Sequence, residues 1–197
     1  MTAVPEKLPR IYLIRHGETA WSLSGQHTGQ TDLPLTAQGE HDARALADRL
    51  RAVKFSRVFT SPLLRARRTS ELAGYGETAE IEPDAVEWNY GDYEGRRPAD
   101  IRKDRPGWNI FEDGCPNGES PLEVSERADR VIARLQNLEG SVALFAHGQF
   151  GRVLGARWIG LLARHAQHFL LSTASISILG YGHNIRGENA VLSWNCV

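Results

Sequence analysis

Two apolar segments of the chain end in the same His-Gly pair, and this repeat strongly constrains the fold. Residues 11–17 read IYLIRHG and residues 142–148 read VALFAHG. Each apolar run has the length and composition of a strand that is buried on both faces, as in a parallel sheet covered by helices. Because ligands bind at the carboxyl ends of such strands, His16 and His147 are predicted to converge on one crevice if their strands are neighbours.

Strand-like and helical patterns alternate along the rest of the chain. Apolar residues recur at helical spacing after Thr36 and again between Ser120 and Gly140. This alternation predicts an α/β fold of three α/β/α layers with a mostly parallel central sheet. The length suits one domain and no linker interrupts it, so we expect a single domain over residues 1–197. Further strand-like runs are 57–60, 174–181 and 190–195.

The strand-like run RVFT leads directly into Ser61 and Pro62, and these two residues are typical of a helix start. We predict Ser61 as the N-cap and Pro62 as the first helical residue. Arg65 then lies in the first helical turn, where free backbone N–H groups favour an anion. Guanidinium groups match phosphate oxygens two at a time. The sequence therefore predicts a phosphate pocket formed by Arg15, His16, Arg65 and His147.

The same residues allow other interpretations. A histidine at a strand end is more often an ordinary surface or core residue, and Arg65 also fits a solvated helix face within LRARR. A divalent metal held by His16, Glu18 and His147 is a further alternative. Neighbouring arginines would repel such an ion, so we expect no metal and no cofactor.

Composition narrows the classes of partner. The formal net charge of -1 gives no support for binding to nucleic acid or to a membrane surface. Two cysteines do not suggest a disulfide framework. The first ten residues lack the pattern of a secretion signal, and no apolar run has the length of a bilayer span, so we expect a cytoplasmic protein. A homodimer remains possible on these grounds.

The region from 75 to 119 is rich in Gly, Pro and Asp and is longer than an ordinary connection. We expect short strands near 79–87 and a helical turn near 98–104. The part around 88–119 is predicted to act as a lid-like insert, although its aromatic residues would also serve to pack it against the sheet.

Several motifs together resemble the histidine phosphatase superfamily, which includes phosphoglycerate mutases and many phosphatases. They occur in the order expected for that family. The similarity is greatest to the branch that contains sedoheptulose bisphosphatase and related acid phosphatases, and it implies a phosphoglycerate mutase-like fold. The motifs are LIRHGETAW (13–21), TDLPLTAQGE (31–40), TSPLLRARRT (60–69), EWNYGDYEG (87–95), NGES (117–120) and FAHGQ (145–149).

The resemblance implies specific roles for residues of this chain. His16 would be the nucleophile that becomes phosphohistidine, and Glu87 would be the proton donor. Arg15, Arg65 and His147 would hold the phosphoryl oxygens. Ser22 stands where many mutases have asparagine, which favours the bisphosphatase-like branch over the mutases. The substrate-binding set implied in this way is Ser22, Thr28, Tyr90, Arg152 and His183.

These inferences predict a metal-independent phosphatase that hydrolyses small phosphorylated metabolites, such as sugar phosphates or bisphosphates, through a phosphohistidine on His16. One alternative is a cofactor-dependent phosphoglycerate mutase with the same nucleophile. An alternative of another class is a phosphate-binding module without turnover.

Overall fold

The computed structural model describes residues 8–197. Residues 1–7, part of the stretch inspected above for a secretion signal, lie outside the described residues. The strands are β1 (Arg10–Arg15), β2 (Phe55–Thr60), β3 (Ala79–Ile81), β4 (Ser141–Ala146), β5 (Ile176–Tyr181) and β6 (Asn189–Cys196). The helices are α1 (Ala20–Ser24), α2 (Ala37–Leu50), α3 (Leu64–Leu72), α4 (Pro98–Asp104), α5 (Ile110–Asp113), α6 (Pro121–Gln136) and α7 (Gly148–Trp158).

The six strands form one sheet in the order β3-β2-β4-β1-β5-β6. The first four strands of that order are mutually parallel, whereas β5 is antiparallel to both of its neighbours. Strands β1 and β4 are paired along their whole length, and the pairing ends with Arg15 opposite Ala146. His16 and His147 therefore leave the sheet side by side, as the His-Gly repeat predicts.

Side chains of the central strands pack against helices on both faces of the sheet. Along β1, Ile11 and Leu13 belong to the core cluster that includes α6 and α7, whereas Ile14 packs with Leu46 and Leu50 of α2. All five are at most 1% exposed. Burying a side chain of this size contributes about 1.5–3 kcal/mol relative to exposure. The predicted α/β fold, with a mostly parallel sheet between two helical layers, is confirmed.

The predicted starts of α2 and α6 are confirmed, but that of α3 is not. Thr36 accepts a hydrogen bond from Gly39 N–H and caps α2, and Ser120 forms a capping box at the start of α6. Helix α3 begins at Leu64, so Ser61 and Pro62 precede it. The Ser61 hydroxyl instead lies against His147 and accepts from Leu63 N–H, as described below.

The insert is packed as part of the main core. Its five aromatic side chains are at most 9% exposed and belong to the cluster that contains α6 and α7. Trp88 and Trp108 each donate an indole N–H to a backbone carbonyl of the insert, Glu119 O and Gly114 O, both at 2.9 Å. The packing interpretation of the aromatics is confirmed, and the lid stays a prediction. Within residues 8–197, no helix is long and apolar enough to cross a membrane.

Candidate active site

The two histidines of the repeat face each other at the carboxyl edge of the sheet. Their ring centroids are 5.2 Å apart. His16 is 3% exposed and His147 is fully buried. Arg15 and Arg65 lie close enough to lower the pKa of both rings, so the four residues share one region of the molecule. We call Arg15, His16, Arg65 and His147 the phosphoryl cradle.

The tautomer of His16 follows from its hydrogen bond. Nδ1 lies 2.7 Å from the carbonyl oxygen of Gly17, which only accepts, so Nδ1 carries the proton. Burial lowers the pKa of His16 well below its usual value, and the charges of Arg65 and Arg15 lower it further. The ring is therefore neutral, and its Nε2 lone pair is free to attack.

Gly17 has little room, which keeps this hydrogen bond in place. Its N–H donates to the Thr69 hydroxyl at 3.0 Å. A Cβ atom at position 17 would come within 2.4 Å of the carbonyl oxygen of Gly39. Close approach of these two backbones requires glycine at this position.

His147 has the same tautomer for a different reason. Its Nε2 lies 2.7 Å from the Ser61 hydroxyl. That hydroxyl already accepts a hydrogen bond from Leu63 N–H at 3.3 Å, and among the described residues His147 is the only acceptor for its proton. Nε2 of His147 thus accepts and Nδ1 carries the proton. Burial, followed by the charge of Arg65, lowers the pKa of His147 well below its usual value.

Arg65 is anchored by backbone carbonyls on the segment from 28 to 31. Its two terminal nitrogens donate to the carbonyl oxygens of Thr28, Gly29 and Thr31 at 2.9 to 3.1 Å. Arg15 donates through Nη1 to the carbonyl oxygen of Leu171 at 2.5 Å. These bonds hold both guanidinium groups in fixed positions.

Three buried donors in the cradle have no hydrogen-bond partner among residues 8–197. They are Arg15 Nε, Arg65 Nε and His147 Nδ1. A buried donor without an acceptor costs about 1–3 kcal/mol, and three in one place indicate a site for an oxygen-rich anion. Burial lowers the pKa of both arginines, yet their usual value is so high that they remain charged.

Glu87 lies beside the cradle at the N-terminus of α7. Its Oε1 accepts from the N–H groups of Trp88 and Phe150, both at 2.8 Å, and its Oε2 accepts from Gln149 N–H at 3.0 Å. The side chain is 4% exposed and lines the same pocket as His16. A carboxyl group is therefore fixed within the site that holds the proposed nucleophile.

The pocket that opens onto His16 has a volume of about 180 Å³. We call it the reaction pocket. Among residues 8–197, Glu87 is the only carboxylate in its wall. Arg65 and His147 are fully buried next to His16 and are not among the residues that line the pocket. Its lining residues are Arg15, His16, Ser22, Gly25, Gln26, His27, Thr28, Glu87, Tyr90, Pro98, Gly148, Gln149, Arg152 and Leu171.

Four of the five residues predicted to bind the rest of the substrate line this pocket. Ser22 also closes the capping box of α1 with Thr19, which engages its hydroxyl. Thr28 donates its hydroxyl to Gln26 O at 3.4 Å. Tyr90 is buried, and burial together with the charge of Glu87 raises the pKa of its hydroxyl well above the usual value. Arg152 donates to Gln149 Oε1 at 2.9 Å and to two backbone carbonyls.

The fifth residue, His183, lies at the opposite edge of the sheet, and its predicted grouping with the other four is wrong. It follows β5, which runs antiparallel to β1, so the carboxyl end of β5 lies at the amino end of β1. Its side chain is 85% exposed and pairs with Glu188 at 3.0 Å. The segment before β5 contacts the site instead, through the bond from Arg15 to Leu171.

Sequence reasoning missed several residues that support the site. Ser61 was interpreted as a helix cap, although it fixes His147. Thr69 binds Gly17 from α3 and also donates to Arg65 O at 2.7 Å. Glu94 accepts from the N–H groups of Gly29 and Thr31 and so holds the segment that anchors Arg65. Ser61 directly follows a predicted strand, and Thr69 and Glu94 lie within the motifs 60–69 and 87–95, but the sequence does not show which residues they contact.

The family to which the chain belongs follows from its sequence taken as a whole. Residues 11–197 match the Histidine phosphatase superfamily (branch 1). The chain belongs to the histidine phosphatase superfamily.

Similar proteins place it among the phosphatases of this superfamily. An acid phosphatase of Mycobacterium tuberculosis is 39% identical over 181 residues, which cover 90% of this chain and 89% of that protein. A sedoheptulose 1,7-bisphosphatase of Saccharomyces cerevisiae is 39% identical over 191 residues, covering 80% of this chain and 70% of that protein. The solved structure of the product of a Mycobacterium tuberculosis open reading frame has a TM-score of 0.89 at 35% identity, covering 95% of this chain and 97% of that chain.

The protein is therefore a phosphatase enzyme with a phosphoglycerate mutase-like fold, and the interpretation as a non-catalytic binding module is set aside. Within residues 8–197 no group of three or more His, Cys, Asp or Glu side chains forms a candidate metal site. Glu18, considered above as a ligand, instead accepts a hydrogen bond from the Thr36 hydroxyl at 2.7 Å.

Proposed function

We propose that this phosphatase hydrolyses small phosphorylated metabolites, sugar phosphates or bisphosphates, through a covalent phosphohistidine on His16 and without a metal ion. One observation carries the proposal. The Nε2 atom of His16 is unprotonated, while Arg15 Nε, Arg65 Nε and His147 Nδ1 are buried donors that lack acceptors. A phosphoryl group supplies the oxygens that those donors need and the phosphorus that Nε2 can attack.

In the first step, Nε2 of His16 attacks phosphorus and the bond from phosphorus to the ester oxygen breaks. The proton on Nδ1 stays with its bond to Gly17 O and stabilises the charge that develops on the ring. Two guanidinium groups and the Nδ1–H of His147 hold the three equatorial oxygens, where charge is spread in the transition state. Glu87 is the proton donor to the departing oxygen.

In the second step, water attacks the phosphohistidine. Glu87, now a carboxylate, takes a proton from that water while the bond between phosphorus and Nε2 breaks. The three backbone N–H groups around Glu87 stabilise the carboxylate formed between the two steps. Phosphate leaves, and the carboxyl group is again protonated for the next cycle.

The proposal is tested by phosphate release from a panel of sugar phosphates and bisphosphates with a chelator present. We expect turnover that His16→Ala lowers by at least about a thousandfold. His41→Ala is the matched control, because His41 is exposed on α2 and lines neither the reaction pocket nor the cradle. Loss of activity on adding the chelator, or retention of activity in His16→Ala, would contradict the mechanism.

The same reactions separate hydrolysis from the mutase alternative. With phosphoglycerate as substrate, we expect phosphate release to exceed isomer formation. Isomer formation that clearly outpaces phosphate release would overturn the assignment as a hydrolase in favour of the mutase, while leaving His16 as the nucleophile.

A further inference from the structure

A second cavity, of about 330 Å³, adjoins the reaction pocket. We call it the distal chamber. The two cavities share His27, Pro98, Gln149 and Arg152 in their walls and therefore lie side by side. The residues that line only the distal chamber are Arg102, Trp108, Asn109, Ile110, Phe111 and Gln167.

The part of the chain that the structure describes gives the wall of the distal chamber two arginines and no carboxylate. Arg152 stacks over the Phe111 ring with 4.6 Å between its guanidinium carbon and the ring centroid. Its Nε, Nη1 and Nη2 are tied to Ala166 O, Gln149 Oε1 and Gln167 O. Arg152 therefore shapes the wall, with each of its nitrogens already donating to protein oxygen.

Arg102, by contrast, is held by a hydrogen bond to the backbone but has no acidic partner among residues 8–197. Its Nε donates to Trp108 O at 3.0 Å, and its two terminal nitrogens make no hydrogen bond within the described chain. Three basic neighbours on the insert are all neutralised by carboxylates: Arg96 by Asp104, Lys103 by Asp100 and Arg105 by Asp113. Of these four cations, Arg102 is the one without a carboxylate partner in the described chain.

A buried polar group in the wall of the same chamber also favours a ligand there. His27 is 6% exposed, stacks on Tyr90 with ring centroids 4.2 Å apart, and has an Nε2 atom without a hydrogen-bond partner in the described chain. Burial and the nearby charge of Arg102 lower its pKa to about 4, so the ring is neutral near pH 7. Its Nε2 is therefore an uncharged, buried polar atom in the wall that the two cavities share.

We propose that the distal chamber selects substrates that carry a second anionic group, and that Arg102 is the specificity-determining residue that binds this group. The inference rests on the proposed function, because the second anionic group belongs to the same substrate whose phosphoryl group reacts with His16. The second group is a phosphate or a carboxylate, both of which match a guanidinium fork. The apolar part of the lining, which includes Ile110, lies along the carbon chain between the two groups.

The experiment uses alkanediol bisphosphates of increasing chain length, the corresponding monophosphates, and phosphates of the corresponding hydroxy acids. At each chain length, kcat/KM of the bisphosphate is divided by two, because it has two equivalent phosphates, and is then compared with kcat/KM of the monophosphate. The difference is the effect of the second anionic group. We expect wild type to prefer the bisphosphate or the carboxylate by about tenfold or more at the best length, since one charge-assisted hydrogen bond contributes about that factor. Comparing bisphosphates with phosphorylated hydroxy acids shows whether the distal chamber prefers a phosphate or a carboxylate.

Arg102→Gln is expected to reduce that preference about tenfold, and Arg102→Lys is expected to retain part of it because the charge remains. Arg97→Gln is the matched control: Arg97 is an exposed arginine at the N-cap of the same helix and lines neither cavity. The preference should also fall with added salt, because Arg102 is exposed.

Three outcomes would overturn the inference. The first is an equal kcat/KM for substrates with one and with two anionic groups at every chain length. The second is an equal loss of kcat/KM for both kinds of substrate in Arg102→Gln, and the third is a loss of preference in Arg97→Gln as large as that in Arg102→Gln. In each of these cases His16-dependent hydrolysis of the monophosphates would leave the proposed function standing. Absence of any His16-dependent hydrolysis would contradict the proposed function instead.

Discussion

In the phosphoryl cradle each histidine ring is fixed by a hydrogen bond of 2.7 Å, whereas in the distal chamber His27 stacks on Tyr90 and its Nε2 has no partner among residues 8–197. The arginines differ in the same way. Arg65 is buried and anchored by three carbonyls, while Arg102 is exposed and, within the described chain, is held through Nε alone. A preorganised site favours one transition state, so the cradle suits a single reaction. The looser chamber suits a choice among substrates.

From this difference between the cradle and the chamber we expect the largest loss of activity on substitution of Glu87, whose carboxyl group is held by three backbone N–H groups. Glu87→Gln should lower kcat for alkyl phosphates by about a hundredfold or more, because the leaving oxygen then lacks a proton donor. The loss should be clearly smaller for p-nitrophenyl phosphate, whose leaving group departs as a stable anion. Steady-state rates on both esters check this. Equal losses on the two esters would indicate that Glu87 acts through structure and not as an acid.

The stacked histidine of the chamber predicts a dependence of stability on pH. The pKa of His27 is lowered to about 4 in the folded protein, while the unfolded value is about 6.5. The unfolded state therefore binds the extra proton as the pH falls, so this residue reduces stability below about pH 6.5. We expect it to account for about 2 kcal/mol of lost unfolding free energy between pH 6.5 and 4.5.

Denaturant unfolding at the two pH values, with His27→Phe compared with wild type, measures that contribution. Phenylalanine keeps the stacking on Tyr90 but does not titrate. The variant should lose about 2 kcal/mol less than wild type over the interval. An identical pH dependence in the two proteins would show that His27 is not a buried neutral histidine.

Ser61 tests whether the tautomer of His147 matters to the cradle. In Ser61→Ala, Nε2 of His147 loses its donor, and the proton is free to move from Nδ1 to Nε2. We expect a decrease in kcat/KM of about tenfold, from the loss of one aligned hydrogen bond, with partial recovery in Ser61→Thr. Unchanged kinetics in Ser61→Ala would mean that the tautomer is set by something other than this hydroxyl.

The smallest effect is expected at His183, which is outside both regions. His183→Ala should leave kcat and KM within experimental error on every ester tested, because the residue is exposed at the far edge of the sheet. A substantial increase in KM for bisphosphates would restore His183 to the substrate-binding set and contradict its placement here.

Sequence reasoning predicted the cradle because its parts follow from strand ends. An apolar strand and the residue after it are local features, and parallel neighbours bring them to one edge of the sheet. His183 was assigned wrongly because local pattern does not reveal strand direction, and β5 runs opposite to β1. The supports from Thr69 and Glu94 are contacts 52 and 65 residues apart in sequence, which only the folded chain defines.

The central claim is that Nε2 of His16 forms a bond to phosphorus. Rapid quenching during turnover of a substrate with labelled phosphate, followed by peptide mapping, tests it most directly. The account predicts a label that is stable to alkali and labile to acid, carried by the peptide containing His16 and absent in His16→Ala. Label on another residue, or inversion of configuration at phosphorus with no phosphoenzyme, would show direct attack by a different nucleophile and contradict the account.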